Sequence, residues 1–136
     1  MFLPNTRILV VDDMTAMRQL VKNQLRNLGF QTIADANGGD VAWRVISERL
    51  PTHESIQLVL SDWNMPEGTG LDLLKKVRAT PELKSLPFLM ITAEGEQSQV
   101  VEAIRSGVSN YLVKPFTPAH FQEKLAAVWK KHNPGA

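Results

Sequence analysis

Ile8-Leu9-Val10-Val11-Asp12-Asp13 places four apolar residues directly before two carboxylates. Three of the four apolar residues are β-branched, and such a continuous run predicts a strand that is buried on both faces of a sheet. Apolar residues at helical spacing follow from Met17 to Leu28, and Gly29 favours a helix end directly after them. A buried strand followed by an amphipathic helix is the repeating unit of a parallel sheet.

The same unit recurs four more times along the chain. Further apolar runs predict strands at 32–34, 58–60, 88–91 and 111–113. Residues that favour helix ends bound the intervening helices: Pro51, Thr69, Gly107 and Thr117-Pro118. Thr69-Gly70-Leu71-Asp72 also has the pattern of a capping box with a shorter acid. Five strands alternating with five helices predict an α/β fold, a doubly wound five-stranded parallel sheet with helices on both faces.

The composition narrows the class of protein. The chain has 136 residues with 43% hydrophobic and 21% charged residues, and no linker or repeat divides it, so we expect one domain over residues 1–136. The net charge of +1 argues against a nucleic-acid surface. The absence of cysteine excludes disulfides and thiolate sites. Without a signal peptide or a membrane-length apolar run, we expect a cytoplasmic protein that does not bind membranes.

Polar side chains follow four of the predicted strands. They are Asp12 and Asp13 after the first strand, Asp62 after the third, Thr92 after the fourth and Lys114 after the fifth. Ligands of doubly wound sheets bind at the carboxyl ends of the strands, and these side chains all belong to that edge. Three carboxylates, one hydroxyl and one ammonium group are therefore expected to converge there.

This combination suits phosphoryl transfer. Clustered carboxylates repel each other, and Mg²⁺ relieves that repulsion at sites with few carboxylates and several waters. Lys114 can neutralise a phosphoryl group as a point charge, and Thr92 can donate a hydrogen bond to it. A carboxylate can itself accept the phosphoryl group as an acyl phosphate.

Each of these residues also has a simple structural explanation. Asp12 can cap the first helix, leaving Asp13 exposed; a lone lysine is usually solvated, and a threonine in this setting is usually a cap. Their coincidence at four strand ends favours a functional site over four separate structural roles.

Four motifs resemble the receiver domains of bacterial response regulators, above all the stand-alone receivers of chemotaxis. They are Val10-Val11-Asp12-Asp13, Ser61-Asp62-Trp63-Asn64-Met65-Pro66, Ile91-Thr92-Ala93-Glu94 and Tyr111-Leu112-Val113-Lys114-Pro115-Phe116. Together they cover nearly the whole chain. The resemblance implies a flavodoxin-like sheet with strand order 2-1-3-4-5.

The resemblance also implies roles for the residues at the sheet edge. Asp62 would be the phosphoacceptor. Asp13, Asp62 and the backbone carbonyl of Asn64 would hold Mg²⁺, with Asp12 acting through water. Lys114 would contact the phosphoryl group.

Further roles concern the response to phosphorylation. Thr92 and Tyr111 would form a switch pair, in which the hydroxyl moves to the phosphate and the ring turns inward. Asn64 and Glu94 would tune the lifetime of the acyl phosphate. The Lys114-Pro115 bond would be cis.

The implied partners are proteins. A histidine kinase would donate the phosphoryl group, an output protein such as a flagellar motor switch component would read it, and a phosphatase is a further expected partner. The output surface would include Gly95, Gln97, Tyr111, Val113 and Lys124, on a monomeric receiver. Glu96-Gln97 replaces a basic pair of the family, which leaves the output partner open.

Three alternative functions follow from the same residues. One is a stand-alone receiver in a phosphorelay outside chemotaxis. A second is a phosphohydrolase, but Asn64 stands where such an enzyme would place a second acid, and 136 residues leave no room for a substrate cap. A third is a pseudo-receiver that binds partners without phosphorylation, which the complete acidic set argues against. We expect a signalling phosphoacceptor rather than an enzyme, with intrinsic phosphotransfer and autodephosphorylation activity.

Overall fold

The computed structural model describes residues 1–64, 69–93 and 97–135. The strands are β1 Ile8–Val11, β2 Ile33–Ala36, β3 Leu58–Asp62, β4 Phe88–Ala93 and β5 Asn110–Lys114. The α-helices are α1 Thr15–Asn27, α2 Gly39–Arg49, α3 Gly70–Ala79, α4 Gln97–Arg105 and α5 Pro118–His132. A single 3₁₀ turn, Pro81–Leu83, precedes β4.

The strands form one parallel sheet in the order β2-β1-β3-β4-β5. This order and the five helices confirm the predicted doubly wound fold. The pairing register brings the strand ends level, with Val11 opposite Ser61, and Asp62 opposite Ile91. Because the strands are parallel, the residues that follow them meet at one edge of the sheet.

Two apolar layers cover the sheet, one on each face. Alternate residues of β1 divide between them, with Ile8 and Val10 in one layer and Leu9 and Val11 in the other. Buried residues of α1 and α5 complete the first layer, and those of α2, α3 and α4 complete the second. The continuous apolar run of β1 is therefore explained by burial on both sides.

One strand boundary differs from the sequence expectation. The second strand runs to Ala36 instead of ending at residue 34. Asp35 pairs with Val10 in this edge strand, and its carboxylate accepts a 2.9 Å hydrogen bond from Arg18 Nε of α1. In α4 the inward residue is Ala103, while Val101 and Ile104 are 46% and 59% exposed.

The expected helix ends are observed. Thr69 and Asp72 form the predicted capping box at the start of α3. Thr117 Oγ1 accepts a hydrogen bond from the His120 N–H at the start of α5. Gly29 and Gly107 take positive φ angles of 99° and 89°, each two residues after the last residue of α1 or α4. Within the described part of the chain, none of the helices combines the length and apolar character needed to cross a bilayer.

Candidate functional site

Asp62 ends the central strand β3 and is only 6% exposed. The strand ladder continues past it, since the Trp63 N–H donates to the Ile91 carbonyl at 3.0 Å. The start of α3 packs directly against its backbone. Gly70 N–H donates to the Trp63 carbonyl at 2.9 Å, and a Cβ at residue 70 would collide with the Asp62 carbonyl oxygen. The Asp62 backbone is thus held between β4 and α3.

Asp12 and Asp13 approach Asp62 from the end of β1. Carboxylate oxygens of the three residues lie within 4.8 Å of one another. Asp12 is 2% exposed, and its Oδ1 accepts a hydrogen bond from the Met14 N–H at 2.9 Å. Asp13 is exposed and leaves one side of the cluster open to solvent. The structure therefore brings together the three carboxylates that the sequence placed at the strand ends.

Burial makes this cluster electrostatically costly. It raises the pKa of Asp12, and the neighbouring Asp62 and Asp13 charges raise it further. Burial likewise raises the pKa of Asp62, although Lys114 partly offsets this effect. All the side-chain ligands are hard oxygen atoms and the cluster has one open side, which fits a divalent cation that keeps several waters. The donor set therefore fits Mg²⁺.

Lys114 reaches the same point from the last residue of β5. Its Nζ lies 2.9 Å from Asp62 Oδ1, and the lysine side chain is 21% exposed. The peptide bond to Pro115 is cis, as expected. The ammonium group of Lys114 thus pairs with the buried carboxylate of Asp62.

Thr92 completes the edge from β4. The residue is fully buried, and its Oγ1 has no hydrogen-bond partner among the described residues. Leaving a buried hydroxyl unpaired costs roughly 1–3 kcal/mol. An oxyanion arriving beside Asp62 would provide the missing acceptor.

Tyr111 lies on β5 opposite Met90 of β4 and packs against the apolar layer formed with α2, α3 and α4. Lys124 Nζ of α5 lies 4.8 Å from the centre of its ring. An open groove of about 620 Å³ runs along this surface; its lining includes Tyr111, Val113, Lys114 and Lys124. One groove therefore joins Lys114 of the acidic edge to three residues of the predicted output surface.

Other predicted residues lie apart from this groove. Gln97 is the exposed first residue of α4 and does not line it. Glu94, Gly95 and Glu96 lie outside the described residues, as do Met65 and Pro66. Asn64 is exposed beside the cluster.

One contact at this edge was not predicted from the sequence. Gln99 Nε2 of α4 donates a hydrogen bond to Asn64 Oδ1 at 3.5 Å. No local pattern distinguishes Gln99 from other polar helical residues, because the contact depends on how α4 packs beside the loop after β3.

Comparison with known proteins identifies the family. Residues 8–126 match the response regulator receiver domain family, and the chain belongs to it. The expected resemblance is therefore confirmed.

The similar proteins include several chemotaxis regulators. The chain is 46% identical to chemotaxis protein CheY1 of Helicobacter pylori over 122 residues, which cover 90% of this chain and 95% of the relative. It is 46% identical to chemotaxis protein CheY-3 of Vibrio cholerae over 127 residues, covering 93% and 94%. The solved structure of the chemotaxis response regulator CheY4 of Vibrio cholerae superposes with a TM-score of 0.77 at 31% identity, covering 91% and 98%. The chain is a receiver domain homologous to CheY response regulators.

Proposed function

We propose that Asp62 accepts a phosphoryl group from a histidine kinase and that the protein passes this signal to a partner in chemotaxis. The observation that carries the proposal is the 2.9 Å pair between Lys114 Nζ and Asp62 Oδ1, set between two further carboxylates and the unpaired Thr92 hydroxyl. Homology to CheY proteins supports the chemotaxis role.

In the proposed transfer, an Asp62 carboxylate oxygen attacks the phosphorus of a phosphohistidine. The new O–P bond forms as the N–P bond breaks, and the released imidazole nitrogen keeps the electron pair and takes up a proton. The product is an acyl phosphate on Asp62. Lys114 then pairs with the phosphoryl oxygens, and Thr92 Oγ1 donates a hydrogen bond to one of them.

Asp13, Asp62 and the backbone carbonyl of Asn64 would hold Mg²⁺, with Asp12 contributing through a water molecule. When bound, the cation would supply positive charge that stabilises the negative charge of the transferring group. The chain's own contribution is to fix the acceptor, because the Asp62 backbone is packed between β4 and α3.

The proposed output runs from Thr92 to Tyr111. Movement of the Thr92 hydroxyl toward the phosphate would let the half-buried Tyr111 ring turn inward and reshape the surface of α4, β5 and α5. A flagellar motor switch component is the proposed reader of that surface, and a phosphatase would reset it.

Replacing Asp62 by Asn should abolish phosphorylation and leave the fold intact, since the change is nearly isosteric and removes only the nucleophile. The protein would be incubated with acetyl phosphate and Mg²⁺, and covalent phosphorylation would be measured by intact-protein mass spectrometry. Wild-type protein should gain one phosphoryl group, and chelation of Mg²⁺ by EDTA should prevent it.

Asp40→Asn is the matched control, because Asp40 is an exposed acid at the start of α2. It should be phosphorylated like the wild type. Mg²⁺-dependent labelling of Asp62→Asn at another residue would assign the acceptor elsewhere.

A further inference from the structure

A polar pocket lies at the amino-terminal ends of the strands, whereas Asp62 lies at their carboxyl ends. Its volume is about 390 Å³, and its lining residues are Asn5, Arg7, Thr32, Arg49, His53 and Glu54. Arg7 directly precedes β1, whereas Asp12 directly follows it. At about 3.3 Å per strand residue, the four residues of β1 separate the pocket from the acidic edge by roughly 13 Å. The pocket is therefore distinct from the proposed phosphorylation site.

The backbone around the pocket is fixed by hydrogen bonds. Arg7 Nε donates to the Ser55 carbonyl at 2.7 Å, and the backbone N–H of Arg7 donates to Gln57 Oε1 at 3.0 Å. Gln57 N–H returns a bond to the Arg7 carbonyl at 2.8 Å. These three bonds tie the loop before β3 to the chain before β1, so that wall of the pocket is formed before any ligand arrives.

A second wall is fixed at the end of α2. Thr52 Oγ1 donates to the Arg49 carbonyl at 2.7 Å and accepts from the Glu54 N–H at 3.0 Å. Both bonds use the backbone of Arg49 and Glu54, so neither occupies their charged side chains. A preorganised site of this kind loses less conformational entropy when a ligand binds.

The charges of the pocket favour an anion. The charged groups of its lining are the guanidinium groups of Arg7 and Arg49 and the carboxylate of Glu54. Within residues 1–64, 69–93 and 97–135, every ion pair shorter than 4.0 Å involves other side chains, so Arg7 and Arg49 have no carboxylate partner there. Arg7 uses only its Nε in the bond to Ser55, which leaves its terminal nitrogens available. Guanidinium groups bind phosphate oxygens in a bidentate fashion.

We propose that this pocket binds the phosphate group of a small phosphorylated molecule. Arg7 and Arg49 supply the charged hydrogen bonds, while Asn5 and Thr32 supply neutral ones. The volume lies at the lower end of the range for small-molecule pockets and exceeds the needs of a bare phosphate ion. The remaining space suits a compact organic group such as a sugar.

The test is an NMR titration of the ¹⁵N-labelled protein with inorganic phosphate and, separately, with ribose 5-phosphate. EDTA is present so that Mg²⁺ does not draw phosphate to the acidic edge, and sodium chloride matches the ionic strength. We expect saturating shifts of the Thr32 and Glu54 amides. Tighter binding of ribose 5-phosphate than of inorganic phosphate supports the proposal. Equal binding of the two would overturn it, because the space beside the phosphate would then contribute nothing to binding.

Two charge variants decide whether the pocket is responsible. Arg49→Gln should weaken binding about tenfold or more, the loss expected for one charged hydrogen-bonding group. Arg44→Gln removes the same charge from the exposed face of the same helix and should leave the affinity unchanged. Glu54→Gln should strengthen binding, because it removes the opposing carboxylate. Shifts that do not saturate, or equal affinities of Arg49→Gln and Arg44→Gln, would overturn the proposal.

Discussion

At the scale of single residues, the proposed acceptor site depends on side chains that are costly to bury alone. Asp62 and Thr92 are both buried. The buried carboxylate needs a positive charge beside it, and the buried hydroxyl needs a hydrogen-bond partner. Lys114 supplies part of the compensation for Asp62, while the Thr92 hydroxyl stays unpaired among the described residues. Such uncompensated groups at one edge are typical of a functional site rather than of a core optimised for stability.

Gly70 is the residue whose replacement should reveal how closely α3 packs behind Asp62. A Cβ there would collide with the Asp62 carbonyl oxygen and lie 2.9 Å from Met90 Sδ. Gly70→Ala should therefore lower the free energy of unfolding by about 1–3 kcal/mol, as overpacking does elsewhere. It should also slow phosphorylation by acetyl phosphate, because the Asp62 backbone must shift. Urea denaturation and phosphorylation kinetics measure the two effects.

Gly135→Ala serves as the control, since a Cβ at that position meets no atom within 4 Å. Its stability should stay within about 0.5 kcal/mol of the wild type. Unchanged stability and kinetics in Gly70→Ala would show that the start of α3 moves easily and does not hold the Asp62 backbone in place.

At the scale of elements, the end of α5 is attached to the sheet through one hydroxyl group. Ser109 Oγ lies 2.6 Å from His132 Nε2 of α5 and accepts a 3.0 Å hydrogen bond from the Phe88 N–H. Arg78 of α3 also points at this hydroxyl and donates to the Gly107 carbonyl at 2.7 Å. With donors already directed at Ser109 Oγ, its own proton is free to be donated to a neutral His132.

This arrangement predicts a pH-dependent stability. Burial lowers the pKa of His132 below its ordinary value of 6.5, and the charges of Arg78 and Lys131 lower it further. The unfolded chain therefore binds a proton at a higher pH than the folded chain does. The contribution of neutral His132 to the free energy of unfolding should be fully present above about pH 6.5. It should decrease as the pH falls below that value, by at most about 1.4 kcal/mol per pH unit for one group.

Urea denaturation of the wild type and His132→Gln between pH 5 and about 8 would measure this contribution. The variant should lose less stability than the wild type on acidification. His120→Gln, which changes an exposed residue of the same helix, should retain the wild-type pH dependence. Parallel curves for the wild type and His132→Gln would exclude His132 as the group responsible.

At the scale of the whole molecule, the acidic edge and the proposed output surface are neighbouring parts of one sheet. Thr92 pairs with Val113 in the register of β4 and β5, and Tyr111 pairs with Met90 of the same strand as Thr92. A change at Thr92 therefore has a short physical route to Tyr111. Any shift between two states is limited by the difference in free energy with which phosphate binds them.

Beryllofluoride, a phosphoryl mimic, should change the NMR chemical shifts of Tyr111 and Lys124 as well as those around Asp62. Thr92→Ala should reduce the changes at Tyr111 and Lys124 while keeping those beside Asp62, because the variant lacks the hydroxyl that we propose links the two regions. Ser85→Ala, which removes an exposed hydroxyl from the loop before β4, is the control. Identical responses of Thr92→Ala and wild type would place the coupling outside Thr92.

The sequence by itself determined the order of elements and the residues at each strand end. Continuous apolar runs such as 8–11 indicate burial on both faces, and Thr69 and Thr117 mark helix starts. Both signals can be recognised in the sequence because they depend on local geometry. The convergence of Asp12, Asp62 and Lys114 also followed, since parallel strands bring their carboxyl ends to one edge.

Only the tertiary structure decided the contacts between segments that are distant in the chain. The Ser109–His132 bond, the Gln99–Asn64 contact and the pocket lined by Arg7 and Arg49 join separate elements. Their existence depends on strand register and on helix packing to within about an ångström, since a donor and an acceptor separated by more than about 3.5 Å no longer form a hydrogen bond. Local periodicity carries no information at that precision, so these contacts had no signal in the sequence.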